Sequence, residues 1–526
     1  MSRDSQSNSV QPDRANVRYM SDRSGNVLFI TVDQLRADCL SSAGHPLVQT
    51  PNLDRLAADG VAFRRHYAQS TPCGPSRASL LTGQYLQKHR SGLNGTPMDA
   101  RFTNVALEAR AAGYDPVLFG YTDNSPDPRV LAPDDPRLRT YEGVLPGFRS
   151  VLYLPEHLET WGVWLRKHGY DVPEYVPDIY APISDAPGAP PIYSAEHSEA
   201  AFLVEEVLDY LDTQGDEHWF AHATFIRPHP PYIVPEPYAS MFDPADVSLP
   251  NRQPTYEVEG QVHPLLAAAL SVEGIRGPDD EAELRQLRAT YYGMIAEVDA
   301  QLGILFEGLK VRGLWQNTLI VLTADHGEQL GDHWLWDKLG WFDQSYHIPL
   351  IVRDPRSEAD DCRGSVVEDR FTENVDVMPT ILDWIGAPIP VQCDGRSLLP
   401  ITRGADPGAW RDAAYWEWEF RDPIGQWAEK MHGITSDQCA ISVLRDERGK
   451  YVHFAAMAPL FYDLETDPDE RINRAEDPAY ASTVLRYAQR MLSIRMEHVD
   501  QTLTWMVVTP SGVLDGRRRL RAVGSA

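Results

Sequence analysis

Hydrophobic positions along the chain fall into two patterns. Val27, Leu28, Phe29, Ile30, Thr31 and Val32 form an unbroken β-branched and aromatic run, and residues 318–323 repeat it. Such runs suit strands covered on both faces, as in the middle of a parallel sheet. Residues 349–352 predict a third strand of this kind, and 116–120 and 219–225 predict two more. Between those last two, the Pro-rich stretch 123–191 reads as irregular chain draped over the sheet. The second pattern is helical: Leu284, Leu287, Tyr291, Ile295 and Val298 recur at three- and four-residue spacing within 281–309. Thr50 and Pro51 read as the cap and first position of another helix. Past about Gly404, residues 414–420 alternate with period two, and 442–454 read as a hairpin turning at Glu447-Arg448-Gly449. The pattern predicts an α/β fold. The main α/β unit is expected over 25–403, a smaller α+β subdomain over 404–500 and an arm over 501–526. Residues 1–24 are expected to be a disordered polar tail.

Charge narrows the partners. With 48 basic and 76 acidic residues the formal charge is −28, which argues against nucleic acid and anionic membranes. Any anion site must therefore be locally positive. The five cysteines (39, 73, 362, 393 and 439) contain no Cys-x-x-Cys pair, and a sparse, odd set fits a reducing compartment. No apolar run resembles a secretory leader or approaches the roughly 20 residues that span a bilayer. A cytoplasmic protein is expected.

Both of the longest buried runs end in a polar pair, Asp33-Gln34 and Asp325-His326. In open α/β sheets, ligands gather at the carboxyl edge of the strands. Two carboxylates, an amide carbonyl and an imidazole meeting there make a plausible divalent metal site. Either dipeptide alone is common; the matched position after a buried strand carries the reading. A third element is the stretch 71–83, where Cys73 precedes a helix read over 76–82. A helix N-terminus offers free N–H groups and positive potential, which suit an anion.

Cys73-Gly74-Pro75-Ser76-Arg77 followed by Ala78-Ser79-Leu80-Leu81-Thr82-Gly83 resembles the formylglycine signature of the sulfatase family, within the alkaline phosphatase superfamily. Val32-Asp33-Gln34, Thr50-Pro51-Asn52-Leu53-Asp54, Thr323-Ala324-Asp325-His326-Gly327-Glu328 and the stretch 461–468 extend the resemblance. More narrowly, Arg227-Pro228-His229-Pro230-Pro231, residues 329–333 and residues 451–456 resemble its phosphonate monoester hydrolase branch. With the strands, the resemblance implies an alkaline-phosphatase-like fold, a large, mixed but mostly parallel sheet sandwiched by helices. It implies that a formylglycine-generating enzyme converts Cys73 to an aldehyde, and that one divalent cation is held by Asp33, Gln34, residue 73, Asp325 and His326. The hydrated aldehyde is the nucleophile, and its second hydroxyl lets the covalent ester collapse back to aldehyde. Arg77 supports that diol, Lys338 contacts the transferred group, and His229 is a leaving-group acid or oxyanion donor. Asn94 and Tyr121 hold diol or substrate oxygens, with Asp123 beside them.

Two departures matter. Most sulfatases carry Asp-Asp and Asp-Asn at the two strand ends, an all-oxygen set suited to calcium. Gln34 and His326 favour Mn²⁺ instead, with Ca²⁺ or Zn²⁺ as weaker choices. Asp123 stands where the phosphonate branch usually has Thr, and a carboxylate there repels an anion unless it is paired or turned away. The expected substrates are small monoanionic esters: sulfate monoesters, phosphonate monoesters and phosphodiesters, handled promiscuously. The alternatives are a phosphomutase on the same fold and a non-catalytic metal-binding relative with Cys73 unmodified. The apolar stretch 502–508 predicts a contact building a homo-dimer or homo-tetramer, or a fold-back onto its own chain.

Overall fold

The structure, a computed structural model, describes residues 25–356 and 366–515. The tail expected over 1–24, Cys362 and the end of the arm lie outside these residues. Eight strands form the main sheet: β1 (Asn26–Val32), β2 (Val61–Tyr67), β3 (Pro116–Gly120), β4 (Arg149–Tyr153), β5 (Phe220–Phe225), β6 (Thr318–Ala324), β7 (Leu350–Arg353) and β8 (Val366–Glu373). Their order is β4-β3-β5-β1-β6-β7-β2-β8. Only β7 runs against its neighbours, pairing antiparallel with both β6 and β2.

The unbroken runs follow from burial on both faces. Along β1, Leu28, Ile30 and Val32 join one apolar core and Val27 and Phe29 the other. The first core takes helices α3 (Glu159–Lys167), α4 (Glu199–Asp212) and α5 (Glu281–Val311). The second takes α2 (Cys73–Thr82) and α6 (Val377–Trp384). β4 and α3 correct the expectation of irregular chain over 123–191. Trp161, Trp164 and Leu165 supply the three- and four-residue spacing of a buried helical face, which the surrounding prolines obscure.

α1 (Pro51–Ala58) starts where expected, but the Thr50 side chain does not cap it. Thr50 Oγ1 accepts instead from Ser41 N, and Asp299 of α5 takes the helix N–H groups of Asn52 and Leu53 at 3.1 and 2.8 Å. α2 begins at Cys73 itself rather than at Ser76, and it ends at Gly83, whose φ of +67° suits the left-handed C-cap.

Strands β9 (Ala414–Glu419), β10 (Ala440–Arg445), β11 (Gly449–Phe454) and β12 (Leu460–Asp463) form an antiparallel sheet in the order β12-β11-β10-β9. The hairpin over 442–454 is β10–β11. The alternation over 414–420 does not separate buried from exposed positions, because β9 is buried throughout. Trp416 and Trp418 face the main core, while Tyr415 packs toward Tyr487 and Met491 of α7 (Ala481–Glu497). Last comes a two-stranded hairpin, β13 (Met506–Thr509) and β14 (Gly512–Asp515), which leaves Val507, Val508, Val513 and Leu514 exposed. Among the described residues no helix is long and apolar enough to cross a membrane.

Candidate active site

Sheet register builds the site. Val32 pairs with Ala324 on one side and with Phe225 on the other, so β1, β6 and β5 end level. Asp33 and Asp325 therefore leave the sheet side by side, and the chain after β5 leads into Arg227 and His229. Cys73, at the first position of α2, completes the group. One ligand atom from each of Asp33, Cys73, Asp325 and His326 lies within 4.8 Å of every other, and all four residues are buried.

Arg77, one turn into α2, organises the carboxylates. Its Nη2 donates to Asp33 Oδ2 at 2.7 Å, its Nε to Asp325 Oδ2 at 2.9 Å and its Nη1 to the Tyr121 carbonyl at 3.2 Å. Tyr121 OH donates to the same Asp33 Oδ2 at 2.7 Å. Asp33 Oδ1 has no hydrogen-bond partner among the described residues. Burial opposes ionisation of Asp33, but Arg77 first, then His229, His326 and Lys338, hold it below the usual carboxylate range. The Nδ1 of His326 donates to the Gly327 carbonyl at 3.0 Å, so the Nε2 lone pair accepts from the Cys73 thiol at 3.1 Å. An imidazole fixed this way through its other nitrogen is oriented as a metal ligand. Burial, with Asp33 next, pushes the Cys73 thiol well above its ordinary pKa. An orphaned carboxylate oxygen, a second carboxylate and an aimed imidazole fit a divalent cation.

Around this group the other expected residues take distinct places. Gln34, at a φ of +66°, accepts from Lys338 Nζ through Oε1 at 2.9 Å and donates through Nε2 to Glu328 Oε2. Burial works against the Lys338 charge, but the surrounding Cys73, Asp337 and Asp33 outweigh it and hold the ammonium on. His229 Nδ1 donates to the Pro230 carbonyl at 2.9 Å. Burial, then Lys338, lowers its pKa to about 4. Asn94 is exposed and accepts from Gly74 N at 2.8 Å, near the start of α2. A Cβ on Gly74 would stand 3.0 Å from both this Asn94 oxygen and the Asp123 carbonyl, so the close approach needs glycine. Asp123 is buried, its Oδ2 3.5 Å from Arg77 Nε. Burial pushes its carboxyl well above the usual range, against the opposing pull of Arg77, and so favours the uncharged form.

The model of the family described as "Sulfatase" matches residues 25–387. The chain belongs to the sulfatase family. A second model, "N-sulphoglucosamine sulphohydrolase, C-terminal", matches residues 331–497. The chain is 42% identical over 508 residues to the multifunctional alkaline phosphatase superfamily protein PehA of Trinickia caryophylli, covering 93% of this chain and 98% of that protein. It also matches the crystal structure of phosphonate monoester hydrolase of Agrobacterium radiobacter with a TM-score of 0.90 and 48% identity, over 93% and 99% of the two chains. Phosphonate monoester hydrolase SpPMH from Silicibacter pomeroyi is similar at a TM-score of 0.89 and 41% identity, over 94% and 99%.

Three residues that complete this sulfatase site escaped the sequence reading. Tyr291 of α5 donates to the Gln34 carbonyl at 2.6 Å, across 257 positions of sequence, and periodicity marks it only as a core residue. Glu328 lies within the motif after β6 but is recognisable as the Gln34 partner only in three dimensions. Glu156, in the stretch read as irregular, sits with Oε1 3.9 Å from His229 Nε2.

Proposed function

We propose that this sulfatase is a formylglycine-dependent hydrolase of monoanionic esters, cleaving aryl sulfates, phosphonate monoesters and phosphodiesters. The observation that carries the reading is the convergence of Asp33, Cys73, Asp325 and His326 within 4.8 Å, in a chain that resembles phosphonate monoester hydrolases over nearly its full length. Asp33, Asp325, His326 and residue 73 would hold the cation, beside Gln34, and it would supply Lewis acidity to nucleophile and ester. Manganese is favoured because one donor is a nitrogen. Formylglycine, made from Cys73 by a separate maturation enzyme in the cytoplasm, supplies the nucleophile.

The chain's own groups do the rest. Arg77 fixes both carboxylates through one guanidinium, which a single point charge could not do. Lys338 presents a buried ammonium to the transferred group, and one positive charge matches a monoanion. His229 faces the leaving group. Its Nε2 carries no proton until an anion binds beside it and raises its pKa. Tyr121 is committed to Asp33 and Asn94 to the start of α2, so both support the site by holding its walls. Asp123, favoured in its uncharged form, does not repel the substrate.

A phosphomutase reading has less support, because among the described residues only this one cluster forms and its nucleophile position is Cys73. The test compares p-nitrophenyl sulfate, p-nitrophenyl phenylphosphonate and a bis-aryl phosphodiester after metal exchange, with intact mass reporting the state of residue 73. Turnover of all three, lost in Cys73→Ala, is the expected result. A Cys73→Ala enzyme that keeps wild-type kcat/KM ends the proposal.

A further inference from the structure

The turn that carries His229 is poor in its own hydrogen bonds. Pro228, Pro230 and Pro231 have no N–H to donate, yet the carbonyls of residues 229, 230 and 231 still need donors when shielded from water. The ring of His229 serves the Pro230 carbonyl. Arg227 Nη1 serves both of the others, donating to the His229 carbonyl at 3.0 Å and to the Pro231 carbonyl at 2.6 Å, the latter also accepting from Ile233 N at 2.9 Å.

Arg227 is itself fully buried. Its Nε donates to Glu199 Oε1 at the first position of α4, and its guanidinium lies over the Tyr180 ring at 4.3 Å. Burial opposes its charge, but Glu199, Tyr180 and Tyr193 outweigh that and keep it cationic. A rigid path thus runs from α4 through Glu199 and Arg227 to the backbone on both sides of Pro230, whose carbonyl sets the imidazole.

We propose that Arg227 is a positioning residue for His229, its guanidinium fork clamping the turn so that Nε2 meets the leaving-group oxygen. Lysine cannot reproduce the clamp, because a single ammonium cannot bond two carbonyls and the Glu199 carboxylate from the guanidinium's fixed planar geometry. The inference rests on the reading of His229 as leaving-group acid.

The experiment is a leaving-group series of aryl sulfates, from p-nitrophenol to phenol, run on wild type, Arg227→Lys, His229→Ala and the double variant. A displaced acid hurts esters that need protonation and spares those that do not. Arg227→Lys should lower kcat about tenfold or more on phenyl sulfate and less than about threefold on p-nitrophenyl sulfate. In the His229→Ala background the Arg227 substitution should add less than about twofold on either substrate. Glu199→Gln, which leaves Nε a neutral acceptor, should show the same pattern more weakly and serves if Arg227→Lys does not fold. Equal losses across the series, or full additivity with His229→Ala, overturn the inference while leaving the reading of His229 intact. A His229→Ala enzyme that loses the same factor on phenyl sulfate as on p-nitrophenyl sulfate overturns both.

Discussion

Asp33 divides its carboxylate between two tasks. Oδ2 takes Arg77 and Tyr121, while Oδ1 is left without a partner. Arg77→Lys removes the fork that holds Asp33 and Asp325 together. Support of this kind around a metal site is worth about 10–100-fold, so kcat/KM and cation affinity should both fall by that order, read by metal titration of activity. The neutral His229 makes a second prediction. With a pKa near 4 in the free enzyme, its protonated form declines as pH rises above that value. kcat/KM reports the free enzyme and kcat the ester complex. The alkaline limb of kcat should therefore lie at higher pH than that of kcat/KM, and His229→Ala should remove the difference. Much of the site was legible in the sequence, because Asp33, Asp325, Cys73 and Arg77 sit in local motifs next to strand ends. Tyr291 and Glu156 were not, because what places them is tertiary contact across distant stretches of chain.

Helix starts show the same division between local and distant causes. Thr50-Pro51 placed α1 correctly, yet the cap comes from Asp299, 247 positions from Asn52. Asp299→Ala leaves those N–H groups unmet and should cost about 1–2 kcal/mol, measured by urea unfolding, with little change in kcat/KM of the folded enzyme. The main sheet was readable because burial on both faces forces unbroken apolar runs. The period-two alternation over 414–420 did locate the strand β9, but it could not show that Glu417 and Glu419 lie inside. Both are buried, Glu417 against Arg495 of α7 and Glu419 against Arg90 and Arg421. α3 was hidden by flanking prolines, whose effect on the backbone ends where Glu159 begins the helix.

Across the whole molecule, a net charge of −28 surrounds a centre where Arg77 and Lys338 are buried beside Asp33 and Asp325. Removing a bound cation should destabilise the fold. A cation at about 100 times its Kd adds roughly 2.7 kcal/mol, so chelation should lower Tm in calorimetry and Mn²⁺ should restore it. The exposed apolar residues of the β13–β14 hairpin are proposed to seat a second copy. Light scattering of a chain ending at Asp500 should then give fewer subunits per particle, and an unchanged subunit number removes that idea.

The sealing of Cys73 imposes a timetable. The imidazole that closes against its sulfur, His326, is made 253 residues later. At about 5–20 residues per second of synthesis, that leaves an interval of roughly 10–50 s in which the thiol is on the nascent chain and its lid does not yet exist. On the proposed maturation, an oxidising enzyme would act within that interval or on chain that has not closed. Molecules that missed it would fold with the Cys73 thiol intact, and slowing translation should then shrink the fraction whose intact mass retains that thiol.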